Sequence, residues 1–198
     1  APEAELVIVK LKPAKEYLRE LYLIPPEAEV FQEDDIMLGI SYAIKCALRY
    51  QKPLSVCVGL GSSQGSHRGD GPLSQYISSI ADFTQNCVSV AAGNEGLARR
   101  HYMGLLDEKT TSDILELRVG AKEAVHGFSM EFWGEASDFY HVTIQSPTGE
   151  RLEVSSALKY GTQELSFVFV ETKVMVNYVP IERRSGNTLI FFRFLHPA

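Results

Sequence analysis

Positive charge is in deficit in this sequence: 19 Lys and Arg stand against 25 Asp and Glu, for a formal net charge of −6. A basic face that tracks nucleic-acid phosphates or an anionic membrane is therefore not expected. No apolar run reaches bilayer-spanning length, and no basic-then-apolar leader opens the chain. Cysteine is scarce as well: three residues, an odd number without CxxC spacing, imply neither a disulfide framework nor a zinc knuckle. Cys46, Cys57 and Cys87 each stand in an apolar stretch and read as buried free thiols. A catalytic thiolate needs a histidine or a helix N-terminus beside it, and the sequence places none. His67, His101, His126, His141 and His196 are scattered without metal-ligand spacing. The glycine-rich run 59–66 has neither the GxGxxG of dinucleotide sites nor the Gly-Lys-Ser/Thr ending of a P-loop. Glu33, Asp34 and Asp35 lack the ordered spacing of a calcium loop and suit a helix start better. No cofactor and no metal are expected.

What remains is ordinary globular material: 198 residues, 45% hydrophobic and 22% charged, enough for one large domain or two small ones. The chain opens Ala1-Pro2-Glu3-Ala4 without an initiator Met, as if cut from a longer protein. Residues 6–11 (LVIVKL) predict a short strand, residues 15–23 one or two helical turns, and Pro25-Pro26 a stop. Apolar positions 36, 40, 43, 44, 47 and 48 recur at helical spacing over 36–50. Gly39 inside that helix costs about 1 kcal/mol against Ala, which implies close packing on the sheet. Residues 54–58 predict a buried strand, 73–83 a second amphipathic helix, and 87–92 another strand. This β, α, β, α, β order with near-continuous apolar strands signals a parallel sheet covered on both faces.

After Gly96 the texture changes to short alternating segments at 114–119, 127–133, 139–145, 164–171, 172–179 and 188–194. Turn signals at Gly120, at 146–149, at Tyr160-Gly161 and at 185–187 separate them, as in an antiparallel sandwich. A boundary between about 104 and 112 divides a domain 1–106 from a domain 107–198. Trp133, Phe132 and Tyr140 suit either core positions or a sugar-stacking surface. Arg68-Gly69-Asp70 is a tripeptide that recurs by chance and is assigned no function.

The most informative stretch is 88–96, VSVAAGNEG. Val88 and Val90 suit a pleated strand, and 91–93 remove bulk where something must approach the backbone. Asn94 then offers a neutral amide donor at a strand end, where open α/β sheets place their ligands. Such a donor either caps a turn or holds an oxyanion that develops only in the transition state.

The segment AAGNEG resembles the oxyanion-hole segment of the subtilisin-like serine proteases (subtilases), and the resemblance extends over residues 1–96. It implies a partial subtilisin-like parallel sheet with helices, followed by an all-β, jelly-roll-like sandwich. Residues 58–61 (VGLG) resemble the segment that pairs with substrate as an added strand, with Gly59 standing where the family usually has Ser. By that resemblance Gly59, Leu60 and Gly61 bind substrate and Leu60 lines a specificity pocket. Ala91, Ala92 and Gly93 form the pocket's opposite wall, Glu95 lies at its base or rim, and Ile36 belongs to a more distant pocket. The runs KLKPAK, GSSQGSH and ADFTQNCVSVAAGNEG are similar to the clostridial germination-protease (Csp-like) subtilases, in which a jelly roll is inserted between the oxyanion asparagine and the catalytic serine.

The resemblance places the catalytic Asp and His ahead of residue 1 and the Ser beyond residue 198. No Gly-Thr-Ser-Met-Ala-like motif occurs here, so the piece alone is expected to be inactive. The implied partner is a protein or peptide substrate, with no nucleic acid and no membrane. Unpaired strand edges would invite a second copy of the chain. A catalytically dead scaffold of the same fold is the rival reading, since some Csp-like members have lost triad residues. The implied setting is the cytoplasm, the spore or the exterior of a Gram-positive cell, between which the sequence does not choose.

Overall fold

The computed structural model describes residues 3–83, 85–136, 138–154 and 161–197. Its first half contains α1 (Glu16–Leu21), α2 (Glu33–Tyr50), β1 (Leu54–Val58), α3 (Pro72–Ala81) and β2 (Asn86–Val90). Glu33, Asp34 and Asp35 occupy the first turn of α2, where carboxylates oppose the positive end of the helix dipole. The helix closes at Gln51, in the left-handed region at φ 54°, with Lys52 N–H on the Ala47 carbonyl at 3.0 Å. Pro72 opens α3, and the Leu73 N–H donates to the Glu33 carboxylate at 2.6 Å, so α2 caps α3.

Strands β1 and β2 pair in parallel, with Leu54 opposite Asn86 and Val58 opposite Val90. Ile40, Val58 and Ile80 form the buried centre of this half, with Ile36, Ile44, Val56, Leu73, Tyr76, Ile77 and Val88 around them. Gly39 is closely packed, but against the segment 6–11 rather than on the sheet as expected: a Cβ there would lie 3.0 Å from Val9 Cγ1 and 3.7 Å from Leu11 Cδ2.

Three expectations for this half are corrected. Only one face of the β1–β2 sheet is covered. The two-residue period that turns Val56 and Val88 toward the helices turns Ser55, Cys57, Cys87 and Ser89 the other way, and these are exposed. Cys57 and Cys87 are therefore exposed and Cys46 is partly exposed, rather than buried thiols. Residues 6–11 form no strand, because no neighbour supplies a ladder among the described residues. Leu6 and Ile8 are more than four-fifths exposed.

Residues 91–120 carry no helix or strand, so the strand expected at 114–119 is absent and Ile114 lies exposed. Then follow α4 (Ala121–His126), β3 (Phe128–Gly134), β4 (Val142–Gln145), β5 (Arg151–Val154), β6 (Thr162–Ser166), β7 (Lys173–Val179) and β8 (Thr188–Leu195). Of the turn expected at Tyr160-Gly161, Tyr160 lies outside the described residues.

Strands β3-β8-β7-β6 form an antiparallel sheet, and β4 pairs with β5 in a second. Alternate residues of β7 and β8 point into one core: Val174, Val176, Tyr178, Ile190, Phe192 and Phe194, joined by Val154 and Phe167. Val142, Ile144 and Leu152 pack against them, so the β4–β5 pair closes this face as a sandwich. The opposite face of the larger sheet meets the first half, where the Tyr22 ring packs edge-on against Phe191 at 5.5 Å. The chain is thus an α/β half with a parallel sheet, followed by antiparallel sheets.

Candidate functional site

The C-terminal ends of β1 and β2 lie side by side, and the chain leaves each in an irregular loop. This is the edge of a parallel sheet at which ligands bind in open α/β folds. The Ala91 N–H donates to the Val58 carbonyl at 3.0 Å, carrying the pairing one residue beyond β2. Gly59, Leu60 and Gly61 leave β1 directly, and Leu60 is 39% exposed. A Cβ on Gly61 would lie 3.9 Å from the Ala91 carbonyl oxygen, so the two loops touch where they start.

Ala92 is exposed, and Gly93 follows at φ +87°, a left-handed conformation that a side chain disfavours. That turn sets Asn94 on the surface at the sheet edge, where its amide makes no hydrogen bond among the described residues. Glu95 pairs with Arg100 at 3.3 Å, and its carbonyl accepts the Ala98 N–H at 2.8 Å. The fold therefore brings the 59–61 and 91–93 segments together, and Asn94 and Glu95 continue the second of them. Ile36, the more distant candidate, packs within the helix–sheet core.

Farther out the two loops meet again: the His67 and His101 rings lie 4.6 Å apart, edge to face. Among the described residues no group of three or more His, Cys, Asp or Glu is placed to hold a metal ion. No described helix is long and apolar enough to cross a membrane.

Sequence reasoning missed the residues that reach the first loop from the sandwich. Glu131 on β3 accepts the Gly65 N–H at 2.7 Å and the Trp133 indole N–H at 2.9 Å, both on the same carboxylate oxygen. Just beyond β3, Glu135 forms an ion pair with Arg68. Burial, then the charges of Glu131 and of Glu33, push the Tyr22 hydroxyl above its ordinary pKa of 10.0. The available signal was the period of β3. Phe128, Met130 and Phe132 pack toward the core, so Glu131 and Trp133 must share the opposite face.

Neither a protein-family model nor a curated protein sequence matches the chain. Among solved structures it is similar to the Clostridium perfringens CspB protease, with a TM-score of 0.71 and 25% sequence identity over 84% of this chain and 34% of that one. The chain thus spans about a third of that protein's length, and its fold resembles that of the Csp protease.

Proposed function

We propose that this chain is the oxyanion-donor and substrate-strand portion of a subtilisin-like serine endopeptidase. The observation that carries the reading is the placement of Asn94. It is an amide with no hydrogen-bond partner among the described residues, preceded by left-handed Gly93, at the end of a parallel strand and next to the bare backbone of the neighbouring strand's loop. The similarity to a protease fold supports it.

In this reading a peptide adds to residues 59–61 as an extra strand, so backbone bonds supply affinity and side-chain pockets supply choice. Leu60 lines one pocket, Ala92 and Gly93 wall another, and Glu95 sits at the rim with its charge partnered by Arg100. A serine attacks the peptide carbonyl, a histidine takes its proton, and an aspartate orients that histidine. These three are assigned to sequence outside residues 1–198. Asn94 donates to the oxyanion, a bond worth most when the charge appears and needing little reorganisation. The peptidase portion is assigned to 1–106 and the inserted, jelly-roll-like sandwich to 107–198.

Labelling with a fluorophosphonate tests the proposal. The full-length protein should label and this 198-residue piece should not. A folded full-length protein that stays unlabelled establishes the dead scaffold instead. Labelling of the piece itself would mean that the nucleophile lies within it.

A further inference from the structure

We infer that Glu131 of the sandwich is a positioning residue for the substrate-pairing loop; the inference rests on the protease reading of that loop. Residues 59–71 contain no helix or strand, yet the loop begins with the three residues assigned to pair with a peptide. At its start the loop is fixed by the ladder and by the Ala91–Val58 bond. A β-addition site needs its backbone groups held in register, and between β1 and α3 the loop has no ladder of its own to hold them.

The second tie comes from the other half of the chain. Glu131 lies opposite Phe191 in the β3–β8 ladder, on the face turned away from the sandwich core. Trp133, two residues along the same face, donates its indole N–H to Glu131 Oε2 at 2.9 Å and so fixes the carboxylate's orientation. That same oxygen accepts the N–H of Gly65, four residues beyond Gly61, at 2.7 Å. Gly65 takes φ +103°, a backbone conformation that glycine adopts readily and a residue with a side chain rarely does.

A charged acceptor makes this a stronger bond than a neutral pair, and Gly65 and Glu131 are each shielded in part from solvent. Arg68 and Glu135 add a second, exposed tie three residues on. Inside the loop the Gln64 N–H bonds Ser62 Oγ at 3.1 Å, and Ser66 bonds Asp70, so the segment between the ties is itself stiffened. A side chain 66 residues away therefore holds the loop four residues beyond its substrate-pairing segment.

The test uses three variants and two readouts. Hydrogen exchange on this chain should show residues 59–66 losing protection in Glu131→Ala while β7 and β8 keep theirs. In the full-length protein, Glu131→Ala should raise KM for fluorescein-labelled casein about tenfold, the loss of roughly one charge-assisted bond. Its kcat, and its acylation by a small fluorophosphonate that makes no strand pairing, should stay within about twofold. Glu131→Gln, whose amide oxygen still accepts the Gly65 N–H, should recover most of the KM.

An unchanged KM, or a fluorophosphonate rate that falls in parallel with casein turnover, overturns the inference. Should Glu131→Ala fail to fold, Trp133→Phe, which removes the indole N–H that orients the same carboxylate oxygen, should raise KM by about two- to threefold, and no change there overturns it. If folded wild-type protein never labels, the protease reading fails separately. The exchange result then decides the anchoring alone: lost protection at 59–66 upholds it and unchanged protection refutes it.

Discussion

Replacing Asn94 with Leu isolates one hydrogen bond from everything else at the candidate site. The side chain is exposed and makes no hydrogen bond among the described residues, so removing its amide leaves no buried group without a partner. Gly93 keeps the left-handed turn, and the Ala98–Glu95 backbone bond keeps the segment that follows. The fold should therefore lose no more than about 0.5 kcal/mol, as at an ordinary surface position. The transition state should lose far more. Removing such a donor from a subtilisin costs roughly 2.7–4 kcal/mol, a magnitude borrowed from that enzyme. At about 1.4 kcal/mol per factor of ten, kcat should fall by about two to three powers of ten. KM should barely move, because a ground-state carbonyl gains little from the donor. The assay is casein hydrolysis by full-length wild type and variant, with Tm measured on both. A kcat within about threefold of wild type would sink the oxyanion assignment. So would a loss of kcat matched by a lowered Tm, which would mean that Asn94 supports the fold.

The remaining predictions address the junction and the scaffold. Tyr22→Phe should match wild type near pH 7 within about 0.5 kcal/mol, since no hydrogen bond of the hydroxyl to a described residue is present. The folded hydroxyl holds its proton above the ordinary 10.0, so the unfolded chain releases it first and wild type loses stability as pH rises past 10. Urea midpoints at pH 7 and in the alkaline range should therefore diverge in favour of the variant, and parallel curves would refute the cause. Gly127→Ala should destabilise by at least about 2 kcal/mol, seen as a Tm drop of about 4–8 °C. The residue sits at φ 77°, ψ −179°, and a Cβ would lie 2.4 Å from the Phe194 carbonyl oxygen, which the β8 ladder holds in place. Native-state hydrogen exchange should protect β7 and β8 far more than β1 and β2, and equal protection would contradict the difference in their cores.

The parts legible in sequence were those whose period and partner agree. β7 alternates and β8 is nearly all apolar, and each has neighbours on both sides, so both became strands with buried and half-buried faces. Residues 6–11, an apolar run, and 114–119, which alternate, form no strand, because apolar pattern states a preference for burial and says nothing of who supplies the ladder. β5 escaped notice because in Arg151–Val154 only two residues are apolar, and its pairing with β4 decides its state. The six residues of α4 are too few for a helical period to show. At the site, the strand ends and Gly93 were readable as local chemistry. The Glu131–Gly65 bond was not, since it joins residues 66 apart that only the packed halves bring together.

That bond bears on how a firm site is built on a lightly cored half. Three buried residues, Ile40, Val58 and Ile80, centre the α/β half, and one face of its two-stranded sheet is exposed. Among the described residues, the hydrophobic core of the sandwich has eight. Oxyanion stabilisation and strand addition both depend on donors fixed before substrate arrives, so rigidity must reach the loops from somewhere. The junction offers a physical route. Tyr22 packs on Phe191, Glu131 holds Gly65, and Glu135 pairs with Arg68, all on the sheet face opposite the sandwich core. Because β3 and β8 share that sheet with the most deeply buried residues of the chain, a loop tied to Glu131 is tied to the least deformable part of the molecule. On the proposed protease reading the sandwich serves the site as a brace, and the cost of loosening it should be read in substrate binding before it is read in unfolding.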